Sequence, residues 1–515
     1  MVLLIKNNYF DLLMNNTTIL KNTLMLYVRM ILVLLISLYI SRIVLEQLGV
    51  TDFGIYSIVG GVVTMLSFFN SSMSSATQRF ISFELGKKNI FQLTKVFSLS
   101  VIIHFIIAIG VLILAETIGL WVVNNFLTIP ENRLSAANWV YQFSVITFII
   151  NIISVPYNAA IIAHERMNVF AYIGIFEVVL KLLLVYSLDF FAYDKLKLYA
   201  VLICIVSLII RLTYGIYTNK KIKACKFTFI WDRNLFNTLF SYAGWNLWGN
   251  IAVVTYNQGI NILLNIYFGP IVNASRELSF QVNSALNKLT SGFQTAMNPQ
   301  IVKNYASKNI DLMHNLILRG SKFSFFLVFI MSVPLFINTH KVIFIWLGII
   351  PEYSIIFVKL LLINSLINSL SGPLMTGAQA SGNIKLYQLI IGGLLLMILP
   401  FSYFLLEMGY SPEITLYVSI FFGIVTLFAR IILVSNLIDL SKKQFLLKVI
   451  IPVFKVLLTV LFLVKLFQNI FPSYFQSFIL SSVIVLVLTC TIVFYIGLNK
   501  IERNYAKNIM SNILN

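Results

Sequence analysis

The chain has 515 residues, of which 59% are hydrophobic and only 11% are charged, and its mean hydropathy is +0.91. This composition excludes a soluble globular protein, because the apolar runs are too many and too long for the helices of a buried core. The formal net charge of +19 does not indicate nucleic acid, since we expect most of it to lie in loops on one side of a membrane, next to anionic lipid headgroups.

Apolar segments that are long enough to cross a membrane recur along the whole chain. A spanning helix needs about 20 mostly apolar residues, and on that measure the sequence predicts an all-α polytopic membrane protein with about 14 transmembrane helices. Their predicted centres lie near residues 35, 65, 108, 150, 178, 207, 254, 286, 332, 365, 395, 424, 456 and 485. The second and the eighth of these spans are the most polar.

Residues 49–90 recur as residues 269–310, at an offset of 220. The matched positions are Gly49 with Gly269, Ala76 with Ala296, and Lys88-Asn89-Ile90 with Lys308-Asn309-Ile310. In the second copy one helical face, at about 100° of turn per residue, carries Arg276, Asn283, Asn287, Thr290, Gln294 and Asn298. The corresponding polar residues of the first copy are Ser67, Asn70, Ser74 and Gln78. One polar-faced span in each copy, a repeated pair, predicts two halves that enclose a shared aqueous path.

The duplication continues after these spans at an offset of 217, where Pro156 and Ala163 match Pro373 and Ala380. Spans one to six therefore map onto spans seven to twelve, and spans thirteen and fourteen are appended. Since six is an even number, the two pseudo-repeats enter the membrane in the same direction and are parallel. The sequence predicts an N-terminal six-helix lobe (1–218), a basic cytoplasmic linker (219–237), a C-terminal six-helix lobe (238–440), and the appended helices with a tail (441–515).

Basic residues in short loops predict the orientation of the chain. With a cytoplasmic N-terminus, most of the 37 Lys and Arg residues fall on the cytoplasmic side, and both termini lie there. The predicted linker joins the two lobes on that side. Its length and charge suit either an amphipathic segment that runs along the membrane surface or a solvated loop.

Three sequence motifs in the first half indicate a family resemblance. They are LGVTDFGIY at residues 48–56, SSATQRF at residues 74–80 and AHERM at residues 163–167. On these motifs the chain resembles the Wzx-type polysaccharide flippases, a branch of the superfamily that also contains the multidrug and toxin extruders and the lipid II flippases. The resemblance covers most of the chain and is sharpest between residues 45 and 170.

The resemblance implies a V-shaped pair of six-helix bundles that works by alternating access. It implies that the cargo is an undecaprenyl-pyrophosphate-linked oligosaccharide, which moves from the inner to the outer leaflet of a bacterial cytoplasmic membrane during the biosynthesis of O-antigen and other surface polysaccharides. Besides membrane lipids, a polysaccharide polymerase and a chain-length regulator are the partners it implies. We expect no cofactor, and coupling to a sodium or proton gradient stays open.

A pyrophosphate headgroup requires cations, and four basic residues in the predicted spans are candidates to bind it. A charge near the bilayer centre costs at least about 2.5–3.5 kcal/mol, so such residues usually face a cavity or a partner. Arginine suits phosphate because its planar fork makes paired hydrogen bonds. The candidates are Arg29, Arg79, Arg276 and Lys288.

A glycan requires hydrogen-bond donors and acceptors, and side-chain amides supply both. In span seven Asn246, Asn250, Asn257, Asn261 and Asn265 fall within about 100° of arc on one helix. We predict that the cavity is lined by Asn246, Asn250, Asn257, Asn261, Asn283, Asn287, Gln294, Asn70, Ser74 and Gln78. The alternative role of these amides is hydrogen bonding between helices.

Two other classes of protein share this hydropathy. A multidrug exporter of the same fold requires acidic residues inside its lobes, whereas the only acidic residues well within the predicted spans are Glu177 and Glu277, and both have basic neighbours. A polysaccharide polymerase or ligase typically carries a long outer loop with catalytic basic residues. Here the longest outer loop, near residues 122–136, contains a single Arg133. No catalytic residues or metal ligands group together in the sequence, so we expect a flippase and not an enzyme.

Overall fold

A computed structural model describes residues 2–64, 67–125, 129–190, 193–347, 350–470 and 477–504. The secondary structure of these residues is entirely helical. Helices suit a chain that lies in lipid, because each helix satisfies its backbone hydrogen bonds internally. The predicted all-α membrane fold is confirmed.

The described chain divides into two compact units. The first comprises Met1–Ile251 together with Val302–Asn309. Its complete helices are α1 (Val2–Thr64), α2 (Ser67–Gly86), α3 (Ile90–Leu114), α4 (Leu120–Asn125), α5 (Leu134–Ala163), α6 (Met167–Ser187) and α7 (Lys195–Lys221). It also contains both ends of α8 (Arg233–Ala306), whose middle belongs to the second unit.

The second unit comprises Ala252–Ile301 and Ile310–Asn515. The helices that follow α8 in it are α9 (Ile310–Ile337), α10 (Thr339–Leu347), α11 (Ser354–Ser369), α12 (Gly372–Ser381), α13 (Lys385–Leu396), α14 (Ile398–Glu407), α15 (Ile414–Ile438), α16 (Lys442–Phe445), α17 (Ile451–Ile470) and α18 (Phe478–Ile492). A π-helical turn, Leu446–Ile450, joins α16 to α17, and a second one, Val493–Gly497, follows α18.

Among the described residues, ten helical stretches are long and apolar enough to cross a membrane. They correspond to predicted spans three to six and nine to fourteen, so the chain is a multi-pass membrane protein. The other four predicted spans fall in the region of α1, α2 and α8, where one shorter apolar stretch, Asn22–Ser37, meets the same composition. The count of 14 spans is therefore not confirmed.

Two of the long helices are bent where the sequence predicts two separate spans. In α1 the backbone leaves the helical region at Gly49, with φ 75° and ψ 168°, a conformation that glycine adopts without steric cost. In α8 the Arg276 guanidinium donates a hydrogen bond to the Asn261 amide oxygen, 15 residues away. A straight helix would separate these two residues by about 22 Å, so α8 turns back between them.

The helix ends repeat at the two offsets found in the sequence. Lys88 and Lys308 are both left-handed, with φ of 56° and 61°. In each copy the amide of the next residue, Asn89 or Asn309, donates to the carbonyl five residues earlier, at 3.1 and 2.9 Å. This is the hydrogen-bond pattern that closes a helix with a left-handed residue, and its recurrence at an offset of 220 supports the duplication.

The second pair of helix ends, after α5 and α12, lies at the offset of 217. Glu165 and Gly382 are both left-handed, with φ of 59° and 82°. Each donates its amide to the carbonyl three residues earlier, at 2.8 and 3.1 Å. The AHERM motif therefore includes a helix terminus, and Glu165 occupies a position that usually favours glycine.

An ion-pair cluster ties three parts of the first unit together. Arg133 donates to Asp52 at 2.8 Å and to Asp194 at 2.7 Å. Asp52 belongs to the LGVTDFGIY motif, and Asp194 caps α7 by accepting from the amides of Leu196 and Lys197. Partial burial alone would raise the pKa of the Asp194 carboxyl, but the hydrogen bonds from Arg133 and from the α7 amides outweigh it, and the pKa lies below its ordinary value.

This depressed pKa predicts a pH dependence of stability. The Asp194 interactions are complete above the pKa of an unfolded Asp, about 3.9, and are lost as the pH falls through the lower folded pKa. We expect Asp194→Asn to cost about 1 kcal/mol at neutral pH, and the difference from the wild type in thermal unfolding to shrink below about pH 4. The exposed Glu131→Gln is the control. A difference that is constant across this pH range contradicts the assignment.

Candidate functional site

The second unit contains a cavity of about 190 Å³ whose lining is mainly polar. The two arms of α8 contribute Asn257, Arg276, Asn283 and Asn287 to the lining. In addition, α11 contributes Asn364, Ser365 and Asn368, and α15 contributes Ser419. Apolar side chains, among them Phe280 and Leu361, complete the wall.

Arg276 is the one charged side chain among the described lining residues. It is 2% exposed, and its guanidinium stacks over the Phe280 ring, 4.4 Å from the ring centroid. The Asn261 amide oxygen accepts a hydrogen bond from it. The described lining contains no carboxylate, so this part of the cavity combines a fixed positive charge with neutral hydrogen-bonding groups.

The amide and hydroxyl groups around the cavity are partly engaged with one another. Ser365 donates to the side-chain oxygen of Asn283, which links α11 to α8. Asn368 donates to Asn364 at 3.4 Å along α11. Since each side-chain amide offers two donors and an acceptor with two lone pairs, this arrangement leaves capacity for a polar ligand.

The structure places the predicted α8 residues at different distances from this cavity. Asn257, Arg276, Asn283 and Asn287 line it, and Asn261 joins it through Arg276. Further along α8, Gln294 lies against the backbone of Gly372 and donates to Ser324 at 3.3 Å. The side chain of Lys288 is exposed and is not among the lining residues.

The predicted cations of the first unit are packed against aromatic rings. The Arg29 guanidinium lies 4.2 Å from the centroid of the Phe170 ring and packs against the backbone of Gly174, so it contacts α6. Arg79 is buried, with ring centroids of Phe80 and Phe83 at 4.5 and 4.7 Å. Cation–π contacts stabilise a charge in a poorly hydrated site, and a substrate role for either arginine stays a prediction.

The predicted cavity-lining residues of the first unit lie at the start of α8 and on α2. Asn246 is buried, and Asn250 donates to the hydroxyl of Ser72 in α2 at 2.7 Å. Ser74 and Gln78 are half-buried on α2. Asn70 also lies in α2, but its side chain is outside the described residues. The Asn250–Ser72 hydrogen bond joins two helices, which is the alternative role of these amides.

Comparison with known proteins gives a family match for part of the chain and a fold match for most of it. Residues 26–187 match the MatE family model, and no curated protein matches. A multidrug resistance MATE family transporter of the MOP superfamily, solved facing outward, is 13% identical, with a TM-score of 0.72 over 83% of this chain and 98% of that chain. This chain has the MATE fold.

Two further MATE-fold structures have similar agreement. A substituted variant of a MATE protein is 14% identical, with a TM-score of 0.72 over 83% of this chain and 98% of that chain. A MOP superfamily transporter from Pyrococcus furiosus is 14% identical, with a TM-score of 0.66 over 82% of this chain and 96% of that chain, and is described as having a binding pocket of reverse polarity that suggests a different function.

Within this MATE fold, sequence reasoning missed the side of the cavity that α11 and α15 supply. Asn364, Ser365 and Asn368 sit in a strongly apolar span, which masked them. The signal was present, because Asn364 and Asn368 are four residues apart and so share a helical face. The same spacing identified Asn257, Asn261, Asn283 and Asn287 on α8.

Proposed function

We propose that this chain is a flippase that moves an undecaprenyl-pyrophosphate-linked oligosaccharide from the inner to the outer leaflet of a bacterial cytoplasmic membrane by alternating access. The observation that carries the proposal is the cavity of the second unit. Its described lining combines one buried guanidinium with several amides and hydroxyls and has no carboxylate. The MATE fold and the three flippase-like motifs are consistent with this cargo.

The chemistry of the lining matches a headgroup that is anionic and hydroxylated. The Arg276 guanidinium suits phosphate oxygens, which accept paired, charge-assisted hydrogen bonds. Asn287 and Asn364 suit sugar hydroxyls, which both donate and accept. A volume of about 190 Å³ is below the range of about 300–1,000 Å³ for sites that enclose a drug-sized ligand. The cavity therefore holds a part of the headgroup, while the polyprenyl chain stays in lipid.

The alternative is export of drugs, because one protein of the same fold is a multidrug resistance transporter. A cationic drug would meet repulsion from Arg276 and find no carboxylate in the described lining. In the first unit, Glu177 is paired with Lys181 of the same helix at 2.5 Å. These charges favour an anionic cargo. The Pyrococcus furiosus protein, whose binding pocket of reverse polarity suggests a different function, shows that pocket polarity varies within the fold.

Several further assignments are part of the proposal. Both termini lie in the cytoplasm of the cell that carries the chain. Partners of the protein are membrane lipids, the polysaccharide polymerase and the chain-length regulator. An enzymatic role as polymerase or ligase is disfavoured, because solved structures of the same fold include two transporters.

The test is complementation of a bacterial strain whose surface glycan depends on this protein. We expect Arg276→Ala to reduce glycan display by about 10- to 100-fold at normal expression, because it removes charge-assisted hydrogen bonds to the cargo. Arg276→Lys retains the charge without the planar fork, so its glycan display is expected to lie between that of the wild type and that of Arg276→Ala. Surface glycan is measured by labelled lectin or antibody.

The matched control is Lys455→Ala, which removes an exposed cation from α17, away from the cavity. It is expected to leave display unchanged. Arg29→Ala is examined in the same strain to test the predicted role of that residue. Normal display from the Arg276→Ala variant removes the pyrophosphate assignment, and a change in drug resistance without a change in display favours the exporter.

A further inference from the structure

The connector between α7 and α8 contains three aromatic side chains that are exposed on the surface of the protein. Phe227, Phe229 and Trp231 are 46%, 81% and 54% exposed. They lie in a stretch without regular structure, at every second position. In an extended chain alternate side chains point to the same side. The connector therefore presents a row of aromatic rings.

The opposite side of the connector is fixed to α3. Thr94 donates to the carbonyl of Ala224 at 3.0 Å, and the amide of Thr228 donates to Ser98 at 3.1 Å. Between them Cys225 is completely buried, and its burial raises the pKa of the thiol to about 12. These contacts hold one side of the connector against α3. The aromatic side chains therefore point away from the protein.

The aromatic row continues into the start of α8. The Trp231 ring lies 4.9 Å from that of Phe236, centroid to centroid, and the Phe236 ring lies 5.7 Å from that of Phe240. Phe240 is itself 53% exposed. Leaving such rings in water is unfavourable, because transfer of apolar surface out of water is favourable.

Basic residues surround this row. Exposed cations lie before and after the aromatic row in the chain: Lys220, Lys221, Lys223, Lys226 and Arg233. The one acidic residue of the connector, Asp232, lies 3.8 Å from Lys95 of α3 and is compensated there. We call the aromatic row and the five flanking cations the linker surface. It combines an apolar face with an uncompensated positive charge.

We propose that the linker surface binds anionic phospholipid headgroups of the surrounding bilayer, with its aromatic rings inserted at the interface. Its position supports a lipid partner, because α7, which ends at Lys221, is one of the helices that meet the requirements for crossing a membrane. The connector thus begins at the end of a span. Trp is enriched at that depth, interfacial segments bury Trp and Phe there, and polybasic segments next to spans attract anionic lipid.

The experiment measures the surroundings of one position of the row. Full-length Cys490→Ser protein, which lacks the exposed cysteine, carries Phe229→Cys labelled with a polarity-sensitive fluorophore. It is placed in nanodiscs of phosphatidylcholine, with or without phosphatidylglycerol. We expect emission shifted towards that of an apolar environment and weak quenching by aqueous iodide when phosphatidylglycerol is present. Each lysine near an anionic surface contributes about a fivefold gain in affinity, so Lys220→Gln/Lys221→Gln/Lys226→Gln is expected to raise the quenching several-fold.

The matched control is Lys442→Gln/Lys443→Gln/Lys448→Gln, which removes the same charge from exposed positions around α16. It is expected to leave the label at position 229 unaffected. Equal iodide quenching in the two lipid compositions, unchanged by the linker substitutions, overturns the proposal and identifies a solvated loop or a protein-binding surface. Because no cargo is present in this assay, its result is independent of the proposed flippase activity.

Discussion

Replacing Lys322 with methionine is expected to lower the free energy of unfolding by about 3–5 kcal/mol, because it leaves a buried carboxylate without its main partner. The Lys322 ammonium group lies 2.9 and 2.6 Å from the two oxygens of Glu502. Both side chains are only 6% exposed. Arg319 remains at 4.0 Å from the carboxylate and offsets part of the loss. The measurement is thermal and denaturant unfolding of the purified protein in detergent.

Two variants give this prediction its controls. Lys181→Met breaks the half-exposed pair with Glu177 and is expected to cost only about 0.3–0.5 kcal/mol, as for other pairs four residues apart on a helix. The double variant Lys322→Met/Glu502→Met is expected to recover most of the stability, since it leaves no unpaired charge. Equal losses from Lys322→Met and Lys181→Met would contradict the buried pair.

This ion pair fastens the end of the described chain to α9. Asn499 and Glu502 cap each other, with the amide of each donating to the side chain of the other at 2.9 Å. This reciprocal capping box orients the Glu502 carboxylate. Just before it, a Cβ added to Gly497 would lie 2.7 Å from the Phe326 ring of α9. Within the second unit, the end of the appended segment is therefore packed on α9 through specific contacts.

The sequence predicted the local features of the fold better than the distant contacts. The offset of 220 matches Lys88 with Lys308, and the two residues end their helices with the same geometry, because a helix terminus is encoded by a few neighbouring residues. In the same way the polar face of α8 led to Asn283 and Asn287. A polar stripe on one helix is a local pattern, and it indicates which face turns towards a cavity.

The partners of these residues were not predictable in the same way. Lys322 and Glu502 are 180 residues apart, and neither has a spacing that indicates the other. The position of Arg29 within a predicted span indicates a cation that faces a cavity or a partner, but it does not reveal that Phe170 lies beside it. Long-range packing depends on how helices are placed in space, and one sequence contains no direct signal for that.

Gly86→Ala and Gly110→Ala are expected to change stability in opposite directions, although both add one methyl group to a helix. A Cβ at Gly86 would lie 2.4 Å from the carbonyl oxygen and 2.8 Å from the Cα of Lys303, and no rotamer change can move backbone atoms. Overpacking of this kind costs about 1–3 kcal/mol. At Gly110 nothing lies within 4 Å, so alanine is expected to add about 0.5–1 kcal/mol through lower backbone entropy in the unfolded chain.

The close approach at Gly86 has a structural reason, which makes this comparison informative. Val302–Asn309 belongs to the first unit, and Lys303 forms an ion pair there with Glu165 of the AHERM motif. The Phe83 and Tyr305 rings pack beside it at 6.4 Å. Only a residue without a side chain lets α2 and the end of α8 meet at this distance. The measurement is unfolding of both variants in detergent. If Gly86→Ala stabilises the protein as Gly110→Ala does, α2 and α8 are not in backbone contact. The Lys303–Glu165 pair then cannot depend on that contact.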